Sequence, residues 1–392
     1  MEDYKNLTSN AIGFCLLPSE LIQNILLHLT LPEIMAMKLV NRSMACVISD
    51  QSFVRECNLR SKSTTWLFVY KKRWLRDAIL QGFSDQSTRW FKIAIADLLK
   101  SLISPGEDFF FLTASGNIFL FVCNTRQDVI AVNLVSKTVK RIPASPLGPR
   151  GTSSWRRSGM KLLATGSDHF RFLFAELVDN RPVLYEYSSE IDTWTSTEAR
   201  ENVGIMPRAS CDREVDYIYL NVSNGPHESI VMAVESRSKD VPVILRLRFN
   251  GGEHGTRQQT VMADRLHVYG DGHMVIVRSN SVGNVKARVR MVNGIEIWGL
   301  GPNASHWEYI SKLPSDILKK ISKPYGVMMG CLEKSGGIIK IVLVSNYGCL
   351  WEIIWLSYDI GRDYWTWFPL PDCKMEGLNM AGIGFSRGLT LS

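Results

Sequence analysis

A chain of 392 residues is too long for one small core and suits one large domain beside a smaller one. Its 45% hydrophobic and 21% charged content is ordinary for a soluble globular protein. The net charge of +7 is too diffuse to mark a nucleic-acid surface, and no run reaches the roughly 18 apolar residues that a membrane span needs.

In chain order, residues 1–15 read as a polar tail. "MEDYKNLTSN" has no basic region leading into an apolar one, so no signal peptide is expected. Cys15, Cys46, Cys57, Cys123, Cys211, Cys331, Cys349 and Cys373 lie far apart with no CxxC. That spacing suits reduced thiols in the nucleus or cytoplasm, with neither a disulfide frame nor a zinc site. The sequons at Asn6, Asn221 and Asn303 are then read as chance matches.

Residues 16–57 carry three short helical patterns. Leu21, Ile22, Ile25, Leu26 and Leu29 recur at helical spacing, with Pro18 and Glu20 suited to the first turn. Pro32 ends that pattern and opens a second helix through Ile34 and Met37. A third follows Val40, with Asn41 as its cap and Met44, Val47 and Ile48 on its apolar side. Helices this short do not close a core comfortably by themselves, so an apolar groove should stay open for another surface.

"LPSELIQNILLHLTLPEIMAMKLVNRSMACVISDQSFV" resembles an F-box. Leu17, Pro18, Glu20, Leu21, Ile25, Leu26, Leu29, Val40, Arg42, Ile48 and Phe53 fall on the family pattern, and Leu31–Pro32 sits near its second Leu-Pro. Met44 stands where many members carry Trp, an exchange that pliable methionine tolerates. The resemblance implies docking to a Skp-type adaptor, and through it to a cullin. The implied adaptor-binding residues are Leu17, Pro18, Leu21, Ile22, Ile25, Leu26, Leu29, Leu31, Pro32, Ile34, Met37 and Val40.

From residue 64 to 388 one design recurs: an apolar strand, a polar turn, then an anchor opening the next strand. The anchors are Trp90, Ile142, Trp194, roughly Arg257, Trp307 and Trp367. Their spacing of about 50 to 60 residues is near the kelch period. Runs such as "GNIFLFVC", "FRFLFAEL", "HMVIVRS" and "IIKIVLVS" read as inner strands. A blade of this kind cannot cover both its faces alone, so copies must stack around an axis. Trp90, Trp194, Trp307 and Trp367 are therefore expected as wedges between blades. "LFVY" and "HWEYISKLP" resemble the opening and late segments of the kelch-type propellers of plant F-box proteins, including floral-patterning relatives. The expected fold is α plus all-β: a three-helix F-box, then a kelch-like propeller of six blades. "WLRDAIL" could form a short helix within the first blade, and "RWFKIAIADLLKSLIS" turns helical from Ile95 onward.

Several motifs lead nowhere. Leu313 to Ser322 imitates an F-box start, yet no Val–Arg follows; a loop or single helical turn is expected. Gly299 to Ala304 matches GxGxxA, but Pro302 and a polar turn replace the helix a dinucleotide site requires. His28, His169, His227, His254, His267, His273 and His306 form no metal or catalytic spacing, and "YKKRWLR" is expected to be a solvated turn rather than a nucleic-acid patch. The expectation is a receptor without its own chemistry, taking no cofactor or metal and binding no nucleic acid directly. Its propeller loops, "SPLGPRGTSSWRRSG" among the candidates, hold a target protein for ubiquitination. A non-degradative bridging or transcriptional role is the alternative.

Overall fold

The computed structural model describes residues 17–391 except 62–63, 73–78, 85, 88, 101, 104–106, 108, 124–127, 144–145, 147–156, 167, 202–215, 225–227, 237–239, 251–265, 283–288, 302–303, 349, 372–374 and 377–378. Helices α1 (Ser19–Leu26), α2 (Leu31–Met37), α3 (Arg42–Ser49) and α4 (Gln51–Ser61) come first. Pro18 immediately precedes α1, and Pro32 lies in the first turn of α2. The Glu33 carboxylate accepts from the Thr30 N–H at 3.0 Å and the Thr30 hydroxyl at 2.8 Å, which fixes where α2 starts. Asn41 Oδ1 accepts from the Met44 N–H at 2.8 Å, the cap expected for α3. The fourth helix is an addition to the sequence expectation. Asp50 Oδ1 starts it, accepting from the N–H groups of Ser52 and Phe53 at 3.0 and 3.2 Å.

Past the helices the chain forms antiparallel meanders. The first holds β1 (Thr65–Lys72), β2 (Ile79–Ser84) and β3 (Phe91–Ala94), trailed by helix α5 (Ala96–Leu99). The second is β4 (Phe109–Ser115), β5 (Ile118–Cys123), β6 (Asp128–Asn133) and β7 (Val139–Arg141). The third is β8 (Met160–Ala164), β9 (Phe170–Val178), β10 (Arg181–Ser188) and β11 (Thr193–Glu198). The short β12 (Arg200–Glu201) then leads to β13 (Tyr217–Asn224), β14 (Glu228–Glu235) and β15 (Val243–Asn250). Next come β16 (Leu266–Gly270), β17 (His273–Ser281), β18 (Arg290–Leu300) and β19 (His306–Lys312). These two meanders share one nine-stranded sheet, because β15 and β19 pair in parallel from Arg248↔His306 to Asn250↔Glu308. After α6 (Ser315–Ile321) and β20 (Pro324–Tyr325), the last meander is β21 (Val327–Ser335), β22 (Ile338–Tyr347), β23 (Leu350–Asp359) and β24 (Tyr364–Phe368). The two-residue β25 (Met375–Glu376) pairs with β23. Finally β26 (Asn379–Arg387) returns to the first sheet and pairs with β1 from Thr65↔Arg387 to Lys72↔Asn379.

Successive meanders pack face to face. Phe68 and Tyr70 of the first meet Phe119 and Phe121 of the second. Leu173 and Leu184 of the third meet Leu220 and Met232. Val275 and Ile297 meet Ile341 and Leu356 of the last meander, whose Trp355 packs back on Leu67 and Val69 of the first. Sheets that cover one another in a closed succession form a propeller-like domain. This explains why β5 is buried from Ile118 to Cys123 with no polar alternation: both its faces are covered. The outer β11, at the rim, has no fully buried residue. Two glycines permit the tight approach of neighbouring strands at the axis. Gly382 has φ +151°, and a Cβ there would stand 2.4 Å from the Phe111 carbonyl oxygen. At Gly270 a Cβ would stand 2.1 Å from Leu332 Cδ2.

The anchors within the described residues fall on or beside the last strands of their meanders. The Trp90 indole N–H donates to the Pro371 carbonyl at 2.8 Å, reaching from the first meander to the end of the last. Trp194 donates to the Pro143 carbonyl at 3.0 Å, and Trp307 to Ser229 Oγ at 2.6 Å, each spanning to the preceding meander. Ile142 is buried in the cluster that Trp194 covers. Trp367 departs from its expected role, since it is 37% exposed and belongs to no core cluster. Trp365 fills the place instead: it is buried, and its N–H donates to Ser311 Oγ of β19 at 3.0 Å. The reason lies in the turn. Tyr187 donates to Asp192 Oδ1 and Tyr358 to Asp363 Oδ1, at 2.5 and 2.9 Å, and both aspartates have positive φ. Counting from this repeated aspartate, Trp194 and Trp365 are the equivalent residues. Arg257 and most of "WLRDAIL" lie outside the described residues. Leu313 to Ser322 holds the seven-residue α6, about two turns rather than the loop or single turn expected, with Leu313 and Ile321 buried.

Candidate functional site: the outward face of the first helices

The four helices bury Ile22, Leu26, Ile34, Met44, Ile48, Phe53 and Cys57 into one core, completed by Leu391 from beyond β26. The Leu391 N–H donates to Asn58 Oδ1 at 3.0 Å, and Thr390 and Asn117 exchange hydrogen bonds at 2.7 and 3.0 Å. Arg89 of the β-domain reaches Glu33 of α2 at 3.0 Å. Glu33 is held below the ordinary glutamate range, first by its hydrogen bonds to Thr30 and then by Arg89. The helices are thus seated on the β-domain along one side, and on the other no described residue covers Leu21 or Ile25.

This seating divides the residues expected to bind an adaptor. Ile22, Leu26 and Ile34 are buried in the helical core and present no surface. The expectation that they touch a second protein is therefore corrected: they hold the helices together. Leu17, Leu29, Leu31, Pro32 and Met37 are partly covered, and Pro18 is exposed. Leu21 and Ile25, one helical turn apart on α1, remain 49% and 44% exposed. In the turn after α2, Val40 is 62% exposed. The single apolar stripe in the sequence is really two stripes, one turned inward and one outward.

Leu39 is the residue that sequence reasoning missed; at 86% it is the most exposed of the large hydrophobic residues described. Its signal was there: an apolar pair, Leu39–Val40, directly before the Asn41 cap, where a helix has already ended. Leu21 and Ile25 lie one helical turn apart and Leu39 and Val40 are adjacent, and large apolar side chains exposed in neighbouring positions can mark where another macromolecule packs. Among the described residues no group of His, Cys, Asp and Glu could hold a metal ion.

The chain was compared with known proteins at the level of sequence and fold. No curated protein matches the chain. Among solved structures, TolB from Acinetobacter baumannii is 12% identical with a TM-score of 0.38, covering 86% of this chain and 72% of its own. Apo AztD from Citrobacter koseri gives 11% and 0.31, covering 82% and 98%. The Nup133 β-propeller domain of Vanderwaltozyma polyspora gives 9% and 0.33, covering 78% and 87%. Likeness at this level says nothing of function. Residues 14–56 match the F-box domain, so this chain is an F-box joined to a propeller-like β-domain.

Proposed function

We propose that this protein is the substrate receptor of an SCF-type ubiquitin ligase. A Skp-type adaptor covers Leu21, Ile25, Leu39 and Val40, with Pro18, Leu29, Leu31, Pro32 and Met37 around them, and brings the cullin with it. The β-domain, read as six kelch-like blades for its six meanders, holds a target protein in the nucleus or cytoplasm. The receptor contributes position rather than chemistry: holding target and conjugating enzyme together raises their effective concentration. One observation carries the reading. The F-box core is complete without Leu21 and Ile25, which nonetheless stay apolar and exposed.

Burial of such side chains contributes roughly 25 cal/mol per Å² before the costs of association. Leu21→Asp with Ile25→Asp should abolish co-purification of the adaptor while leaving the thermal midpoint of the purified chain unchanged. Adaptor binding at unaltered affinity would sink the proposal.

A further inference from the structure

Six strands, β4, β8, β13, β16, β21 and β26, line a central cavity of about 290 Å³. Its two ends differ in charge. At one end, Lys161 Nζ meets Asp271 Oδ2 at 2.5 Å and Arg387 Nη1 meets Glu333 Oε1 at 3.5 Å. Two cations and two anions, drawn from four separate stretches of the ring, balance there. Asp271 and Arg387 are exposed, so this end meets solvent.

Four residues back along β26 lies Ile383, about 13 Å deeper at the rise of an extended strand. There the guanidinium of Arg157, which precedes β8, donates through Nη1 to the Ile383 carbonyl and through Nη2 to Met329 Sδ at 3.5 Å. Its Nε is sealed from water and has no partner among the described residues. Among the described residues no carboxylate pairs with it; the neighbouring ionisable group is the Cys331 thiol. Burial lowers the Arg157 guanidinium to about 10 and raises the Cys331 thiol to about 12. At neutral pH the arginine is therefore charged and the thiol is not. A charge held away from water is costly unless something pairs with it, and nothing among the described residues of this wall does.

We propose that the deep end of the channel binds a small oxyanion, the carboxylate or phosphate group of a compact molecule, paired with Arg157. A guanidinium offers a planar fork of donors that matches either group. The cavity lies at the small end of the range for ligand pockets, of order 300 Å³ and upward, which suits a small molecule and not a folded segment. Leu112, Met160 and Val268 add apolar wall for the rest of such a ligand. The site does not rest on the adaptor reading. An occupant would join the stretch before β8 to β26, the strand that closes the ring.

The test is thermal unfolding of the full chain in sodium phosphate, sodium acetate and sodium chloride at matched ionic strength and pH. The expected result is a saturable rise of the midpoint with phosphate or acetate beyond that in chloride. Phosphate alone would identify a phosphate ligand, acetate alone a carboxylate. Arg157→Gln should weaken the response at least tenfold. Cys331→Asp, which supplies an internal counter-charge, should remove it in a chain that still melts cooperatively. A rise that grows linearly without saturating is the general salting effect of such anions and would overturn the proposal. So would a response equal to that in chloride, or one kept intact in either folded variant.

Discussion

Every residue of β5 from Ile118 to Cys123 is buried, whereas α1 leaves two of its apolar residues, Leu21 and Ile25, nearly half in water. Composition does not separate these elements; what covers them does. A central strand in a closed succession of sheets has a neighbour on each face, made from a copy of its own pattern. The F-box helices have the β-domain and Leu391 on one side and none of the described residues over Leu21 and Ile25. Apolar surface inside the ring is a matter of stability, while on the outward face of α1 it points to a second polypeptide.

That contrast can be broken at several points. The largest loss is expected at the ion pair of β17 and β18, where Arg278 holds Glu296 through bonds of 2.7 and 3.0 Å and the Glu296 side chain is 1% exposed. Glu296→Ala leaves the cation without its partner and should cost about 3–5 kcal/mol in chemical denaturation. Next comes α1, where Leu26→Ala should cost about 2–5 kcal/mol by opening a cavity. Leu21→Ala on the same helix should change stability by no more than about 0.5 kcal/mol, the usual range for surface substitutions. Equal losses at the two positions would erase the distinction between inward and outward stripes. A smaller step separates two tryptophans. Trp365→Phe removes the hydrogen bond to Ser311 and should cost about 1 kcal/mol, against almost nothing for Trp367→Phe.

The smallest effect is one of pH. Glu33 has its folded value lowered from the ordinary 4.5, by Thr30 and then Arg89, so its contribution is complete above 4.5 and is lost as pH falls through the folded value. The F-box should therefore loosen on acidification below that point. Glu33→Gln should flatten this acid-side slope in a melting series, and an unchanged slope would remove Glu33 from the cause.

Much of this was legible in the residues themselves. Helical spacing, two prolines and the Asn41 cap marked α1 to α3, because a short helix packed on one side must repeat its apolar positions. The fourth helix was not legible from spacing: only Phe53 and Cys57 are buried among charged residues such as Arg55, Glu56 and Arg60. The strand–turn–strand recurrence of the β-domain showed through, since its described strands fold as antiparallel meanders. The choice between Trp365 and Trp367 did not, as two residues apart on a strand they share a face. Only the turn aspartate, with its tyrosine partner, distinguishes them. The channel was hidden for a different reason: Lys161 and Asp271 are 110 positions apart and meet only when the ring closes.

Leu391 sits in the F-box core, its N–H bound to Asn58 a full 333 positions earlier in the chain. During synthesis the helices emerge first, yet that core stays unfinished until the ribosome has released the closing strand and the residues after it. Assembly of the outward face of α1 is thereby tied to completion of the β-domain. A nascent chain halted at Arg387 should show the F-box helices more open to proteolysis than the full-length protein does.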